Sequence, residues 1–452
     1  MTTEQVEERV RETLRAVDLD RVRAPGDLVD RVVRRRGRRR FTQATGSMVA
    51  VAAITAGAVL GLGGGGAADQ DRSARPAASP QDWKPWNITA KGAAERGCVA
   101  DGAALYCAGS KYDAAKFDAR TGERQWTVKV VRKSGYSNDN PFAVRDGVVY
   151  AYQNHTARSQ PNGNYAGGTD LVAVQAGTGK VLWKVELAND NRDAQSALLI
   201  DGAVLANTPN DRTVSALDPR TGRTKWRHTW KKGIWCDRAV LSGVPYLACR
   251  REIKHPPTTD VFRLDPATGK AEQITGVLGG QSIMGTTKDR LVLGGERDAA
   301  GKKVRLILVS GSGQAVERWL PVQEAQATVD VIGDRVISVN WQGEARAYSL
   351  RTGKTLWTRP VGVPMPDEES MTGIASPVVS EKRGVVFFLS PTGDLSGLDL
   401  RTGRQVWRHR VDFFGKGKPL NFGMPPQLLP YDDVLIARYG NKMVSLLPRT
   451  TG

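Results

Sequence analysis

Four cysteines and four histidines are the most reactive side chains in this 452-residue chain. Cys98 and Cys107 flank a turn signal at Asp101-Gly102, and Cys236 and Cys249 flank another at Ser242-Gly243. Two thiols across a short hairpin can bond when their β-carbons face each other. The even count and local pairing, with the export signals described below, predict two disulfides rather than four small buried hydrophobes. Zinc fits poorly, because no histidine lies near either pair at ligand spacing. His155, His228, His255 and His409 are scattered and suggest no nucleophile–base couple. Gly-x-Ser-x-Gly, HExxH and phosphate-loop signatures are absent. The acidic run Asp367-Glu368-Glu369 is a conceivable calcium ligand set, but its Pro-rich surroundings read as a solvated connection. No catalytic residue, cofactor site or metal site is expected.

The elements that hold these residues repeat. Asp118, Gly122 and Trp126 form one copy of a pattern in which Asp precedes Thr-Gly and Trp follows four residues after the Gly. Gly179 with Trp183, Asp218-Gly222-Trp226, Gly353-Trp357 and Asp399-Gly403-Trp407 are further copies. Asp265-Gly269 lacks its Trp, and Ser312-Gly313 is worn. Successive motif glycines lie 57, 43, 47, 44, 40, 50 and 49 residues apart when the terminal Thr451-Gly452 is included. Such a period means repeated supersecondary units. Each copy reads as a turn between strands: Asp accepts from backbone amides two residues on, and Gly takes the left-handed conformation. The Trp then falls on the next strand, where it can fill the wedge between neighbouring sheets.

The motif resembles the repeat of the pyrroloquinoline-quinone-like propellers. That resemblance covers roughly residues 83–450 and implies an all-β, eight-bladed β-propeller with four-stranded antiparallel blades; seven blades is the alternative. The chain ends in a strand sequence, Ser445–Thr450, that lacks a following Trp strand. Upstream, Trp83–Thr89 is a Trp-bearing strand without a preceding turn. Pairing the two would complete the eighth blade and remove both open edges. Quinoprotein dehydrogenases of this family hold their cofactor on a disulfide between adjacent cysteines, above a bound calcium. No two cysteines are adjacent here, so the resemblance transfers the fold and withholds the activity.

Three segments precede the propeller assigned to 82–452. Residues 1–45 form a basic tail whose apolar spacing (Val6, Val10, Leu14, Val17) predicts short helices. Residues 46–64 are uncharged and long enough for a transmembrane helix or uncleaved signal anchor. The preceding arginines, Arg34–Arg40, keep the tail in the cytoplasm and place the propeller outside. Residues 65–81, rich in Gly, Ala, Ser and Pro, read as a flexible linker. The same stretch also resembles a twin-arginine export signal at Arg38-Arg39-Arg40-Phe41, with cleavage near Gly66-Ala67-Ala68 and a secreted product. Both readings export the propeller.

Charge and loops then bound the function. The net charge is +18; residues 1–45 carry 12 Arg and 8 acidic residues, leaving about +14 on the rest. A cationic exported domain suits an anionic envelope polymer or another envelope protein, and nothing suggests nucleic acid. Arginines in the turn copies (Arg120, Arg220, Arg223, Arg351, Arg401, Arg404) predict a basic rim on one face. The long second interval contains a polar excursion in which Tyr152, Asn154, His155 and Tyr165 are candidate contact residues. The function expected is non-catalytic binding or scaffolding at the outer face of the cytoplasmic membrane. A transmembrane sensor working through residues 1–45 and a degenerate quinoprotein dehydrogenase are the alternatives.

Overall fold

A computed structural model describes residues 83–129, 141–154, 158–159, 165–166, 169–188, 197–251, 257–321, 326–366, 373–413 and 425–448. They form eight four-stranded antiparallel sheets and one two-stranded ribbon. Seven sheets are consecutive meanders, from Gly97–Lys129 in blade 1 to Val378–Arg410 in blade 7. The eighth takes Gln427–Tyr431, Val434–Tyr439 and Lys442–Leu446 from the end of the chain. Its fourth strand is Asn87–Thr89, paired in the register Asn87↔Val444, Ile88↔Met443, Thr89↔Lys442. The two chain ends therefore share a blade.

Eight apolar clusters, one between each pair of neighbours, hold the ring. Leu105, Phe117, Ile436 and Met443 join blades 1 and 8; Tyr150, Leu171, Val204 and Leu217 join blades 2 and 3. A single sheet would leave such faces wet, and burying a Leu- or Phe-sized side chain contributes about 1.5–3 kcal/mol. At the closure the Gln427 amide accepts from Cys98 N at 2.9 Å and donates to Cys98 O at 2.8 Å. It thus stitches the inner strands of blades 8 and 1 together.

The meander gives the ring two distinct faces. Turns between first and second strands, and between third and fourth strands, lie on one; we call it the turn face. Second-to-third connections and blade-to-blade connections lie on the other, the crossover face. The Thr-Gly copies all sit on the turn face. There Asp218 Oδ1 accepts from the amides of Arg220 at 3.0 Å and Thr221 at 2.8 Å. These hydrogen bonds, led by those from Thr221, hold the Asp218 carboxyl below its usual range.

Five Trp side chains reach across to the next blade. Trp86, Trp126, Trp183, Trp226 and Trp357 donate from Nε1 to carbonyls of Ala119, Ala176, Pro219, Pro266 and Leu400 at 2.8–3.0 Å. The turn glycine of the receiving blade lies beneath the indole, as Gly222 lies beneath Trp183. Two joints differ. Blade 4 carries Gln273 at the Trp position, and its Ile274 backbone approaches Gly313 instead. Blade 5 uses Arg318, whose guanidinium donates to Leu350 O at 3.3 Å and Arg351 O at 2.8 Å.

Among the described residues no helix is long and apolar enough to cross a membrane. The expected tail (1–45), apolar segment (46–64) and linker (65–81) lie outside the described residues.

Candidate functional site: the crossover face of blades 4 and 5

The first two strands of blade 3, Ala197–Ile200 and Ala203–Asn207, are short. Their counterparts in blade 4, Ile234–Leu241 and Val244–Arg251, each have 8 residues. The hairpin turns of the two blades are level, tied by Asp201 N donating to Gly243 O at 2.9 Å. The extra residues of blade 4 therefore project on the crossover face, by about 10 Å at about 3.3 Å per residue. Arg290–Arg297 and Lys303–Ser310 are similarly long in blade 5.

The projecting hairpin is stapled by Cys236–Cys249, which occupy a directly opposed register pair. One pair further out, Trp235 stands opposite Arg250. Trp235 is 38% exposed, as is Trp319 on the outer strand of blade 5. Such exposure is unusual for Trp, which normally buries its large apolar area.

A continuous hydrogen-bonded network runs from Arg250, the cross-strand neighbour of Trp235, to the indole of Trp319 along the blade 4–blade 5 seam. Arg250 Nη1 donates to Asp237 Oδ2 at 2.8 Å, Ser282 Oγ at 2.9 Å and Gln281 O at 3.1 Å. Gln281 N donates to Thr259 Oγ1 at 2.9 Å, and Gln281 Nε2 to Glu296 Oε2 at 3.2 Å. Arg305 then bonds Glu296 at 2.9 Å, Glu317 at 2.8 Å and Leu278 O at 3.1 Å. Trp319 Nε1 closes the series on Glu317 Oε1 at 2.5 Å. Burial alone would pull the Arg305 guanidinium down; its bonds to Glu296 and Glu317 outweigh that and raise it. The acids of the seam are spent on internal partners. Arg251, Arg297, Lys302 and Lys303 are exposed, with no ion pair among the described residues. The surface offered outward is thus two indoles in a basic frame, held rigid from below.

The polar excursion leaves and rejoins blade 2 on the same crossover face, two blades away. Arg158-Ser159 pairs there with Tyr165-Ala166. Tyr152 is 7% exposed and packs with Phe142 and Leu199, its hydroxyl accepting from Ala197 N at 2.9 Å. Its side chain is spent on the core, and the alternating register of its strand is the reason. Asn154 ends that strand, Tyr165 lies in the ribbon, and His155 lies outside the described residues. Beside them, Gln153 Nε2 donates to the buried Asp113 carboxylate at 2.6 Å. Burial pushes Asp113 up to about 6, against the bond from Gln153 and the charges of Arg96 and Lys184.

The cysteines do not form a redox pair of neighbours. Cys98–Cys107 staples blade 1 as Cys236–Cys249 staples blade 4, both between first and second strands. Among the described residues no three His, Cys, Asp or Glu side chains gather as metal ligands. Gln342, Gly343, Glu344 and Thr358–Pro360 line a shallow depression of about 170 Å³. Small-molecule sites typically enclose about 300–1,000 Å³. His228 sits half-buried on an outer strand, with its imidazole pulled down by burial.

Sequence reasoning passed over Trp235 and Trp319. The available signal was that neither occupies a motif position, so neither is needed for docking the next blade.

Fold and repeat define an eight-bladed propeller built from pyrroloquinoline-quinone-like repeats. The chain belongs to the family described as outer membrane protein assembly factor BamB, whose model matches residues 110–359, 295–422 and 341–443. The assembly factor BamB of Burkholderia pseudomallei is 26% identical over 312 residues, 69% of this chain and 64% of the relative. That of Yersinia pestis is 23% identical over 264 residues, 58% of this chain and 55% of the relative. The match thus spans little more than half the length of these relatives. Among solved structures, the computationally designed Ika8 protein is 14% identical with a TM-score of 0.50, covering 80% of this chain and 98% of its own. That likeness concerns fold alone.

Proposed function

We propose that this chain is an exported, membrane-anchored propeller that acts as a non-catalytic binding module at the outer face of the cytoplasmic membrane. It holds another envelope protein on the crossover face of blades 4 and 5. The observation that carries this reading is the pair of exposed indoles, Trp319 bonded into one hydrogen-bonded network and Trp235 beside Arg250 at its other end. Interfaces concentrate their binding energy in Trp, Tyr and Arg anchors on pre-organised surfaces. The relatives' printed names, assembly factors for outer membrane proteins, describe proteins that work with other proteins.

Photo-crosslinkers placed at Arg251 and Lys303 in cells, with one at Lys225 on the turn face as control, test this. A single envelope protein captured from both seam positions, and lost on Trp235→Ala with Trp319→Ala, supports the proposal. Equal capture from Lys225, or capture unaffected by removing the indoles, overturns it.

A further inference from the structure

The turn face carries a basic patch that the binding reading does not use. Arg351 and Lys354 flank the outer turn of blade 6, and Arg401 and Arg404 that of blade 7; all four are exposed. Arg318 joins them from blade 5, its guanidinium bonded to Arg351 O at 2.8 Å. None of these five cations has an ion-pair partner among the described residues. The one carboxylate in these two turns, Asp399, is held by the turn itself, accepting from Thr402 Oγ1 at 2.6 Å and Thr402 N at 2.7 Å.

Two acids of the neighbouring inner turns are matched, while Glu381 and Asp432 there form no ion pair among the described residues. Asp334 pairs with Arg335 at 3.1 Å, and Asp433 with Lys382 at 2.8 Å. These inner turns stand directly beside the outer ones, Leu350 N donating to Asp334 O at 2.8 Å and Leu400 N to Gly384 O at 2.7 Å. Across both turns of blades 6 and 7, Arg335, Arg351, Lys354, Lys382, Arg383, Arg401 and Arg404 outnumber Asp334, Glu381 and Asp399, so this part of the turn face is net positive.

Chain direction adds a second, independent observation. The fourth strand of each blade starts on the turn face, so Asn87–Thr89 begins there, at the outer edge of blade 8. Trp86, just before it, bonds the outer turn of blade 1 through Ala119 O at 3.0 Å. The chain leading back toward the uncharged segment 46–64 therefore leaves from the turn face, at the outer edge of blade 8 on its blade 1 side. Residues 65–82 reach at most about 60 Å when fully extended.

We propose that the outer turns of blades 6 and 7 form a contact surface for anionic phospholipid headgroups of the membrane to which the chain is tethered. The tether holds the patch near the headgroups, and clustered Lys and Arg bind such surfaces additively. The ring then lies with its turn face toward the lipid and its crossover face turned away. Trp235 and Trp319, half a ring from the tether, remain open to a partner. This inference rests on the anchored reading of residues 46–64.

The test uses the full chain reconstituted in vesicles of phosphatidylcholine alone or with about 30% phosphatidylglycerol, a composition that supplies anionic surface charge. Arginine- and lysine-selective labelling is read by mass spectrometry at Arg351, Lys354, Arg401 and Arg404, with Lys232, Lys302 and Lys303 as crossover-face controls. Labelling of the patch is expected to fall by about fivefold in anionic vesicles, corresponding to about 1 kcal/mol per cation, and to recover in high salt. The controls stay unchanged. The double variant Arg351→Glu, Arg401→Glu, at exposed turn positions, abolishes the protection of Lys354 and Arg404. Equal labelling in both vesicles, or protection of the control lysines, overturns the proposal. So does protection by a soluble anionic polymer with none from anionic vesicles. Retention of the chain in vesicles under alkaline carbonate reports the anchor separately; loss of retention with patch protection intact would remove the anchor and leave the lipid surface standing.

Discussion

The indole of Trp183 in blade 2 covers Gly222 in blade 3. Its Nε1 donates to Pro219 O at 3.0 Å, and a β-carbon on residue 222 would stand 2.8 Å from Cδ2 of the ring. Gly222 also has φ +69°, a conformation that L residues adopt at a cost of about 1–2 kcal/mol. Conformation and contact thus demand glycine for separate reasons, and the same pairing recurs around the ring.

Gly222→Ala should therefore destabilise the propeller by about 2–5 kcal/mol, the sum of backbone strain and overpacking. Denaturant titration of variant and parent measures it. A difference below about 0.5 kcal/mol, the scale of an ordinary surface substitution, would mean that the indole dock does not hold the ring.

The staple Cys236–Cys249, with its separation of 13 residues, contributes about 3 kcal/mol on the chain-entropy estimate. Its replacement by a Ser pair should lower stability by that order and, more specifically, raise amide exchange at Trp235 and Arg250. Exchange at Gly97–Cys107 in blade 1 should not change. Uniform acceleration over all blades would argue that the staple acts only globally.

Asp330 is fully buried on the inner strand of blade 6, where it accepts hydrogen bonds from Thr328 and Ser376. Burial pushes its carboxyl up from 3.8 to about 6, against those bonds. A carboxyl whose folded value is raised favours the native state below pH 4, and that advantage is lost as pH climbs toward 6 and beyond. Asp330→Asn should accordingly gain stability relative to the parent at pH 7.5 but little at pH 4. The difference between the two pH values is about 3 kcal/mol at most. Urea titrations at both pH values measure it; equal parent–variant differences at the two would refute the buried-acid account.

Trp235→Ala and Trp319→Ala should each weaken partner binding by about tenfold or more, as removing a central aromatic anchor does. Leu356→Ala, at an exposed apolar residue on blade 6, should change it less than twofold, an estimate in line with near-neutral positions outside an interface centre. Affinity measured with the captured partner decides between a localised and a diffuse interface.

Much of the ring was legible in the sequence because its determinants are local. The Asp-to-amide bonds of Asp218, the positive φ of Gly222 and the reach of Trp226 to the next turn depend on residues within one turn and its following strand. The cross-strand partnerships Cys98–Cys107 and Cys236–Cys249 follow from hairpins short enough to have one register. Closure by Asn87–Thr89 could be anticipated because an unmatched Trp strand and an unmatched turn each leave an edge that the other satisfies.

The seam between blades 4 and 5 was decided only by tertiary structure. Asp237, Arg250, Gln281, Glu296, Arg305 and Glu317 span 81 positions and show no shared spacing; they become one network because two overlong hairpins stand side by side. Tyr152 looked like a contact residue, and the packing of blade 3 against blade 2 took it into the core. Exposure is a property of what the neighbouring sheet covers, which no run of residues within one blade records. The sequence specified each blade and its turn; the arrangement of blades around the circle determined which side chains were left to face a partner.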